Sequence, residues 1–460
     1  MSDYDAIIIG AGMSGLAAGI RLAHFEKKVC LLEKHSLVGG LNSYYKFHGR
    51  RLDVGLHAMT NYVPRGIKSA PLNRLLRQLR IDYDEFGLCP QNYSAVAFPG
   101  IKLRFSNDPE LLFQEVRDKF PGSADGFQRL VQFVMEFNDL DLNAPHTSAR
   151  ETVRRYITDR LLEDMIFCPL LFYGSAEEND VDFSQFVTMF KGIFREGFAR
   201  SQGGAKTILD VLVRRFRESG GELRLRSGVK RLHLGQDRVE SVELENGETL
   251  TAGMIFSSAG YPETLRLCAG PETASLRPPT GRLALIESIN ILDRDPSKAG
   301  LDSTIIFFNN SERFAYERPE KAVDVRSGVI CCPNNFHYPE PLPEGIVRLT
   351  HIANPDPWLA FPEEEYREQK QSWLRASWAE AVKLIPDFRP HIVLTDMFTP
   401  RTIIKFTSHI EGAVYGSPEK HRSGLTPFQN LFLCGTDQGF LGIIGAILSG
   451  ISIANLHGLK

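Results

Sequence analysis

A glycine pattern near the start of the chain is the first group of residues whose spacing could do chemistry. Its members follow a β-branched apolar run, precede an apolar helix-like segment, and are Gly10, Ala11, Gly12, Met13, Ser14 and Gly15. In such a strand–turn–helix the first glycine permits a tight turn, the second lets a pyrophosphate approach the backbone, and the third lets the helix pack against the strand. The free N–H groups and positive dipole end of the helix would face the phosphates. A glycine turn without a ligand is the alternative.

A carboxylate and a second pair of glycines extend this pattern and argue against an unliganded turn. The apolar strand at residues 29–32 ends in Glu33, where a carboxylate would accept both hydroxyl protons of an adenosine ribose and repel a 2′-phosphate. Lys34 follows, and a second diglycine then offers a surface without side chains, along which an extended dinucleotide would continue toward its ring. The residues of this segment are Lys34, Gly39, Gly40, Leu41 and Asn42. NAD enzymes do not require the second diglycine, so the sequence predicts FAD.

A short hairpin follows and leads to the candidate catalytic residue. Strands are predicted at residues 44–47 and 51–54, around a glycine turn. Gly55 would let the backbone lie against a flat ring, with Leu56 and His57 beside it. His57 could contact a flavin or a substrate, although a lone histidine is more often a hydrogen-bonded structural residue.

A second glycine-rich strand–helix turn lies near the other end of the chain. A buried strand at residues 430–434 ends in Gly435 and Asp437. Asp437 could hold ribityl or ribose hydroxyl groups, and the N-terminus of the next helix could face the edge of a flavin where negative charge accumulates on reduction. The residues that begin this helix are Gly442, Ile443 and Ile444. Two glycine-rich strand–helix turns would arise by chance in one chain less often than a single turn.

The middle of the chain contains a segment that returns to the nucleotide-binding pattern. A helix over residues 207–216 precedes strands that begin at Glu222 and Val229, and a hairpin turns at Asn246-Gly247. A buried strand over residues 254–260 then ends in small residues. This order is typical of a discontinuous nucleotide domain that resumes after an insertion, and it places Val229 beside the adenine.

These segments predict an α/β fold: a discontinuous Rossmann-type FAD-binding domain with an inserted α+β substrate domain. We assign residues 1–65, 201–280 and 425–460 to the FAD-binding domain. Residues 66–200 are predicted to be a largely helical part of the substrate domain, and residues 281–424 a mixed sheet that lies over the flavin.

A run of phenyl groups at helical spacing marks the end of the helical part. Its members are Phe186, Phe190, Phe194 and Phe198. We favour a helix that is buried in the core. The alternatives are the wall of a long apolar tunnel and a helix that rests on a membrane surface.

Composition excludes several classes of function. The net charge of −3 gives no electrostatic argument for binding nucleic acid. The seven cysteines contain no C-x-x-C, which predicts neither a disulfide framework nor a zinc site and suits a reducing compartment. No metal-ligand motif and no nucleophile elbow occurs, so nothing in the sequence predicts metal or covalent catalysis.

The predicted location is the cytoplasm, with peripheral membrane contact as an option. The first strand starts too close to Met1 for a signal peptide. Residues 440–456 form the one uncharged stretch that approaches transmembrane length, and we interpret this glycine-rich segment as a buried helix.

The motifs together resemble those of the phytoene desaturase-related flavoproteins, which include carotenoid desaturases, carotene isomerases and retinol saturases. The resemblance rests on residues 10–15 with Glu33 and the diglycine, on residues 53–57, and on residues 431–446. It implies FAD at the matched positions, an architecture like that of flavin amine oxidases, a long apolar tunnel and frequent membrane association. Many relatives carry arginine directly after the diglycine, whereas Leu41-Asn42 stands here. Together with Gly-Leu-His57 and the Gly-x-Asp ending, this departure is more similar to the isomerase and saturase branches than to the bacterial desaturases.

The resemblance therefore implies an FAD-dependent oxidoreductase that transfers hydride to or from C–C or C=C bonds of an apolar isoprenoid or carotenoid-like substrate. The sequence contains one G-x-G-x-x-G motif and predicts no second nucleotide domain, so we expect no NAD(P)H site of its own. Electrons would therefore be exchanged with a quinone, oxygen or a partner protein. A flavin amine oxidase acting on a small amine is the alternative enzyme. A flavoprotein scaffold that holds isoprenoids without turnover is the alternative without catalysis.

Overall fold

The computed structural model describes residues 2–55, 57–67, 70–268, 276 and 278–459. Its strands are β1 (Tyr4–Ile9), β2 (Val29–Leu32), β3 (Tyr44–Phe47), β4 (Arg50–Asp53), β5 (Leu88–Pro90), β6 (Ser94–Phe98), β7 (Ile101–Phe105), β8 (Ala199–Ser201), β9 (Glu222–Arg224), β10 (Val229–Leu234), β11 (Val239–Leu244), β12 (Thr249–Leu250), β13 (Ala252–Ser257), β14 (Ala284–Leu292), β15 (Ile305–Asn309), β16 (Val323–Cys331), β17 (Gly345–Ala353), β18 (Ile392–Phe398) and β19 (Leu431–Leu433). Its α-helices are α1 (Met13–Ala23), α2 (Pro71–Gln78), α3 (Pro109–Lys119), α4 (Ala124–Glu136), α5 (Ala149–Val153), α6 (Arg160–Gly174), α7 (Phe183–Phe190), α8 (Ala205–Glu218), α9 (Tyr261–Leu267), α10 (Pro355–Ala360), α11 (Glu363–Ala381), α12 (Pro400–Thr407) and α13 (Gly442–Ile453).

A five-stranded parallel sheet of order β19-β13-β1-β2-β9 forms the nucleotide-binding part. β1 is central because its apolar residues from Ala6 to Ile9 are buried on both faces. α1, α8 and α13 cover one face, and the three-stranded sheet β10-β11-β12 with α9 covers the other. This arrangement agrees with the discontinuous domain that the sequence predicts.

Helix α13 corresponds to the segment whose hydrophobicity approached that of a transmembrane span. It packs against α1 so closely that a Cβ atom on Gly450 would lie 2.1 Å from the backbone oxygen of Ser14. The glycines of this apolar helix therefore serve a close helix–helix contact inside the protein. In the part of the chain that the structure describes, no helix is long and apolar enough to cross a membrane.

A second sheet has seven strands in the order β18-β14-β17-β16-β15-β6-β7. Its described pairs are antiparallel except for β15 and β6. Helices α3 to α7 pack on one face, and α11 covers the other. The sheet is larger than predicted, because β6 and β7 come from the segment that was expected to be largely helical. The apolar run Ser94–Phe98 is buried throughout, which suits a strand inside the sheet.

The phenyl run belongs to the core. It spans α7, a π-helical turn at Lys191–Glu196 and the residue before β8, and each ring is at most 2% exposed. Successive rings of Phe186, Phe190 and Phe194 lie 5.7 and 5.1 Å apart between centroids. The interpretation as a helix resting on a membrane surface is therefore wrong for this segment, since buried rings cannot contact lipid.

Candidate active site

A cavity of about 460 Å³ lies at the carboxyl ends of the parallel strands, between this edge and one face of the seven-stranded sheet. The structure brings together most of the predicted site residues in its wall. Those that line it are Gly10, Gly12, Met13, Ser14, Glu33, Lys34, Gly39, Gly40, Leu41, Asn42, Gly55, His57, Val229, Gly435, Gly442 and Ile443. The predicted residues outside the lining are Ala11, Gly15, Ile444 and Asp437. Leu56 lies outside the described residues.

The turn between β1 and α1 leaves room for a pyrophosphate. Gly10 has φ +93°, and a Cβ atom on Gly15 would lie 2.0 Å from the oxygen of Gly10, so both positions need glycine. A Cβ atom on Gly12 would meet nothing within 4 Å, and one on Gly40 would lie 4.0 Å from the Cα atom of Gly12. These two backbones thus face a cleft without side chains. α1 begins there without a side-chain cap, which leaves its first N–H groups for an anion.

Glu33 stands at the end of β2 in a geometry that suits a ribose. Its Oε2 accepts the N–H of Ala11 at 2.9 Å, and its Oε1 accepts the N–H of His35 at 2.9 Å. Each carboxylate oxygen keeps a further lone pair that can face the cavity. Ala11 therefore contributes by orienting Glu33 and not by lining the cavity.

Helix α12 covers the end of the cavity at which Glu33 lies, and no sequence motif predicted this. Ile403 and Phe406 of α12 line the cavity, and the ring of Phe406 lies 5.6 Å from that of His35. Lys34 Nζ donates to the hydroxyl of Ser408 at 2.6 Å. Val229, the first residue of β10, lines the same cavity as Glu33, and the sequence predicted that it lies beside the adenine.

The opposite end of the cleft is formed by the second glycine-rich turn. Gly435 and Gly442 have positive φ angles of +97° and +70°, and α13 begins at Gly442 without a side-chain cap. Ile443 lines the cavity, whereas the neighbouring Ile444 packs into the core behind it. Two helix N-termini, those of α1 and α13, therefore open into one cavity.

Asp437 does not lie where the sequence predicted. It is 1% exposed, its Oδ2 accepts the N–H of Tyr261 at 2.6 Å, and its Oδ1 accepts the N–H of Ser417 at 2.8 Å. Lys420 Nζ lies 3.6 Å from the same Oδ1. The carboxylate thus holds together three segments beneath the cavity instead of facing cofactor hydroxyl groups.

The far wall of the cavity is a row of side chains across four adjacent strands. Glu287 of β14 pairs with Thr350 of β17, Thr350 with Val329 of β16, and Val329 with Phe307 of β15. All four residues line the cavity, as do Leu285 and Ile305 on the same face. Most of this wall is apolar. None of the four described residues of the phenyl run lines this cavity.

The polar end of that row is a buried charge cluster. Arg348 Nε donates to Glu287 Oε1 at 2.5 Å, and His57 Nε2 lies 3.2 Å from Glu287 Oε2. Burial favours the neutral form of Glu287, but Arg348 and His57 outweigh it and lower the pKa of the carboxyl below its ordinary value. Sequence analysis found only His57, because the alternation of strands does not show which strands are neighbours.

A second buried ion pair fixes the segment that carries His57. Arg200 pairs with Asp53, and Asp53 Oδ1 also accepts the N–H of Ala205 at 3.1 Å. Arg200 Nη1 donates to the backbone oxygen of His57 at 3.3 Å. Burial alone would lower the pKa of Arg200, but the adjacent Asp53 raises it, so the guanidinium stays charged.

The fold and the cavity together define an FAD-dependent oxidoreductase. Four features fit a dinucleotide whose ring points toward the second sheet. They are the parallel sheet, the two uncapped helix N-termini, the cleft without side chains and the carboxylate of Glu33. The family model for flavin containing amine oxidoreductases matches residues 13–456, and the chain belongs to this family. The family confirms the predicted cofactor, FAD.

Curated relatives align with the chain at low identity. Prolycopene isomerase, chloroplastic, from Arabidopsis thaliana is 22% identical over 98% of this chain and 82% of its own length. All-trans-retinol 13,14-reductase from Danio rerio is 21% identical over 99% of this chain and 86% of its own. Phytoene desaturase (lycopene-forming) from Pantoea ananas is 24% identical over 56% of each chain. These relatives confirm the resemblance to the desaturase, isomerase and saturase group.

Solved structures confirm the predicted fold class. An oxidoreductase from Methanosarcina mazei superposes with a TM-score of 0.69 at 16% identity and covers 98% of this chain and 99% of its own. A redesigned putrescine oxidase superposes with a TM-score of 0.65 at 16% identity, covering 98% of each chain. At this identity the likeness shows a shared fold.

Proposed function

We propose that the protein is an FAD-dependent oxidoreductase acting on C–C or C=C bonds of an apolar isoprenoid or carotenoid-like molecule, as a desaturase, saturase or isomerase. The observation that carries the proposal is the apolar wall that faces the ring end of the cleft. Ile305, Phe307 and Val329 are each at most 3% exposed and stand side by side on one sheet face. When bound, FAD supplies a site that accepts or donates a hydride.

The residues of the chain would bind FAD, orient the substrate and keep water out of the site. The backbone at Gly12 and Gly40 would receive the pyrophosphate, Glu33 the adenosine ribose, and the start of α13 the flavin edge that becomes negative on reduction. The apolar row would hold a polyene flat against the sheet. A dry apolar site suits hydride transfer, because it keeps water away from a reactive carbon.

The names of the relatives support the substrate class. They refer to prolycopene, retinol and phytoene. We further propose a peripheral contact with a membrane that stores the substrate, and an electron partner outside this chain. The candidates for that partner are a quinone, oxygen or another protein, because the chain has a single dinucleotide motif.

A small amine is the second candidate substrate, and one observation favours it. Tyr173 and Tyr415 both line the cavity, and their hydroxyl groups donate to the backbone oxygens of Ala58 and Phe172 at 3.3 and 2.5 Å. Fixed aromatic walls of this kind can bind an amine through its cationic or apolar part. The chemistry of the substrate therefore has to be tested directly.

The test is anaerobic flavin absorbance after reconstitution with FAD. Isoprenoids from diterpenoid to carotenoid length, and small amines including putrescine, are added to oxidised and to chemically reduced protein. Bleaching of oxidised flavin by an isoprenoid supports a desaturase, and recovery of colour from reduced flavin supports a saturase. Product analysis by chromatography detects an isomerase. Bleaching by amines alone contradicts the proposal.

A variant in the apolar row makes this test specific. Val329→Phe fills part of the wall, and we expect it to weaken the isoprenoid response at least about tenfold while the FAD spectrum persists. Val393→Phe is the matched control, because Val393 is 52% exposed on β18 and away from the cavity. An equal loss in both variants would count against the assigned wall.

A further inference from the structure

We propose that His57 transfers a proton between its Nδ1 atom and a substrate carbon, and that Glu287 and Arg348 are positioning residues that hold the ring for this purpose. The inference rests on the proposed function and names a role within the same site. It follows from three observations: which nitrogen of His57 is bonded, what holds its partner, and what fixes the backbone of residue 57.

The bonded nitrogen of His57 is Nε2. It lies 3.2 Å from Glu287 Oε2 and 3.4 Å from the hydroxyl oxygen of Thr350. No described residue forms a hydrogen bond with Nδ1, and the ring lines the cavity. A carboxylate can only accept, so neutral His57 carries its proton on Nε2 and has a free lone pair on Nδ1.

The carboxylate is itself fixed from the other side. Arg348 donates to Glu287 Oε1 through Nε and also through Nη2, and its Nη2 bonds to the backbone oxygen of Val54. The side chains of Arg348 and Glu287 are 2% and 10% exposed. Burying such a pair in a sheet face contributes little to stability compared with apolar residues of the same size. Holding a neighbouring imidazole in one tautomer gives this arrangement a function.

The backbone of His57 is equally constrained. Its oxygen accepts from Arg200, whose charge is held by Asp53, and its N–H donates to the oxygen of Gly55 at 3.1 Å. The backbone position of residue 57 is therefore fixed, and the contacts of Nε2 set the orientation of the ring. A group positioned in this manner can act on a bound substrate without reorganisation.

The proton step balances as follows in the desaturating direction. A C–H bond breaks, its hydrogen leaves as a proton that forms an N–H bond at His57 Nδ1, and its electron pair becomes the new C=C bond. The hydrogen on the adjacent carbon leaves with its electron pair as a hydride, for which FAD is the oxidant. In the saturating direction Nδ1–H returns the proton, and reduced FAD is the reductant.

The tautomer of His57 can be measured by ¹⁵N NMR on protein labelled at histidine. The signals of His57 are identified by their loss in His57→Ala. We expect wild-type neutral His57 to be protonated on Nε2 and unprotonated on Nδ1. In Glu287→Gln the amide oxygen must face the donors of Arg348, which turns the NH₂ group toward His57. Nε2 must then accept, so we expect the proton to move to Nδ1.

Two results of this measurement would overturn the inference. One is a neutral wild-type His57 ring that carries its single proton on Nδ1, which is decisive even if Glu287→Gln does not fold. The other is an unchanged tautomer in folded Glu287→Gln. The measurement needs no substrate, so it is independent of the proposed function.

Turnover provides the second readout. His57→Ala and Glu287→Gln should lower kcat with an identified isoprenoid by about 10²-fold or more, with little change in KM or in FAD binding. Glu115→Gln is the matched control, since Glu115 is buried and paired with Arg104 far from the cavity. Normal kcat in His57→Ala would overturn the inference alone, whereas no response to any isoprenoid would overturn the proposed function and the inference together.

Discussion

A buried histidine in the seven-stranded sheet is expected to make the stability of the protein depend on pH. His351 of β17 is fully buried, its Nδ1–H donates to the oxygen of Ser327 at 2.9 Å, and its Nε2 accepts from the hydroxyl of Ser377 at 2.7 Å. Both nitrogens are thus satisfied in the neutral form, and a second proton would displace the hydroxyl. Burial lowers the pKa of His351 to about 4.

We therefore expect acid to destabilise the protein through this residue. The unfolded chain takes up a proton near pH 6.5, whereas the folded chain resists it until about pH 4. The stability that neutral His351 provides is complete above pH 6.5 and is lost as the pH falls, by about 3 kcal/mol. Urea unfolding at pH 7 and pH 4.5 measures most of this loss, about 2 kcal/mol. His351→Gln should lose less on acidification, and the exposed His337→Gln should behave like wild type; equal slopes in all three would contradict the prediction.

Individual site residues were predictable where the chain itself imposes the geometry. Gly10, Gly12 and Glu33 follow from a local strand–turn–helix, and they line the cavity as expected. Asp437 was misplaced, because nothing near it in sequence shows that Tyr261 and Ser417 would supply donors to its carboxylate. The partners of His57 were missed for the same reason, since they come from strands whose pairing is a property of the folded sheet.

At the scale of helices and strands, the cavity depends on how closely α13 packs against α1. The contact is at Gly450, where a Cβ atom would meet the Ser14 backbone oxygen at 2.1 Å. The backbone of Ser14 cannot move aside as a flexible side chain can. A methyl group added at position 450 must therefore push α1 and α13 apart. Both helices begin at the cavity, and a shift of either moves an anion-binding end.

We expect Gly450→Ala to lower the free energy of unfolding by about 1–3 kcal/mol and to weaken FAD binding. Gly122→Ala is the control, because a Cβ atom there meets nothing within 4 Å. Urea unfolding and a fluorescence titration with FAD provide the two measurements. Normal FAD affinity in a destabilised Gly450→Ala would show that the helix ends do not control the cofactor site.

The elements themselves were predictable to different extents. β1, α1 and β2 follow from local patterns, and the phenyl run was correctly interpreted as core. β6 was not recognised, because the five-residue apolar run at Ser94–Phe98 has no period that decides between helix and strand. β7 was missed although its residues alternate with strand period after the Pro99-Gly100 turn. β6 pairs with β7 in a local hairpin and with β15, which lies far away in sequence. The predicted domain boundaries stay a prediction.

At the scale of the whole molecule, the cavity proposed for FAD lies between two sheets, so bound FAD should stabilise both. At about 100 times its Kd, FAD would add about 2.7 kcal/mol to the free energy of unfolding. Thermal denaturation with and without FAD measures this gain.

Gly12→Val separates binding from folding in that experiment. The side chain enters open space and Gly12 has φ −73°, so the protein without FAD should unfold within about 1 kcal/mol of wild type. The valine occupies the pyrophosphate cleft, so we expect the gain from FAD to disappear. A full gain in this variant would place the cofactor elsewhere.

The order of strands in the parallel sheet also has a consequence for synthesis on the ribosome. β13 ends at Ser257 and its neighbour β19 begins at Leu431, about 170 residues later. At the speed of translation this interval lasts about 10–30 s. During that time a buried, apolar strand has an unpaired edge, and unpaired edges promote association between chains. The nascent protein is therefore expected to need a chaperone until β19 has been synthesised and can cover this edge.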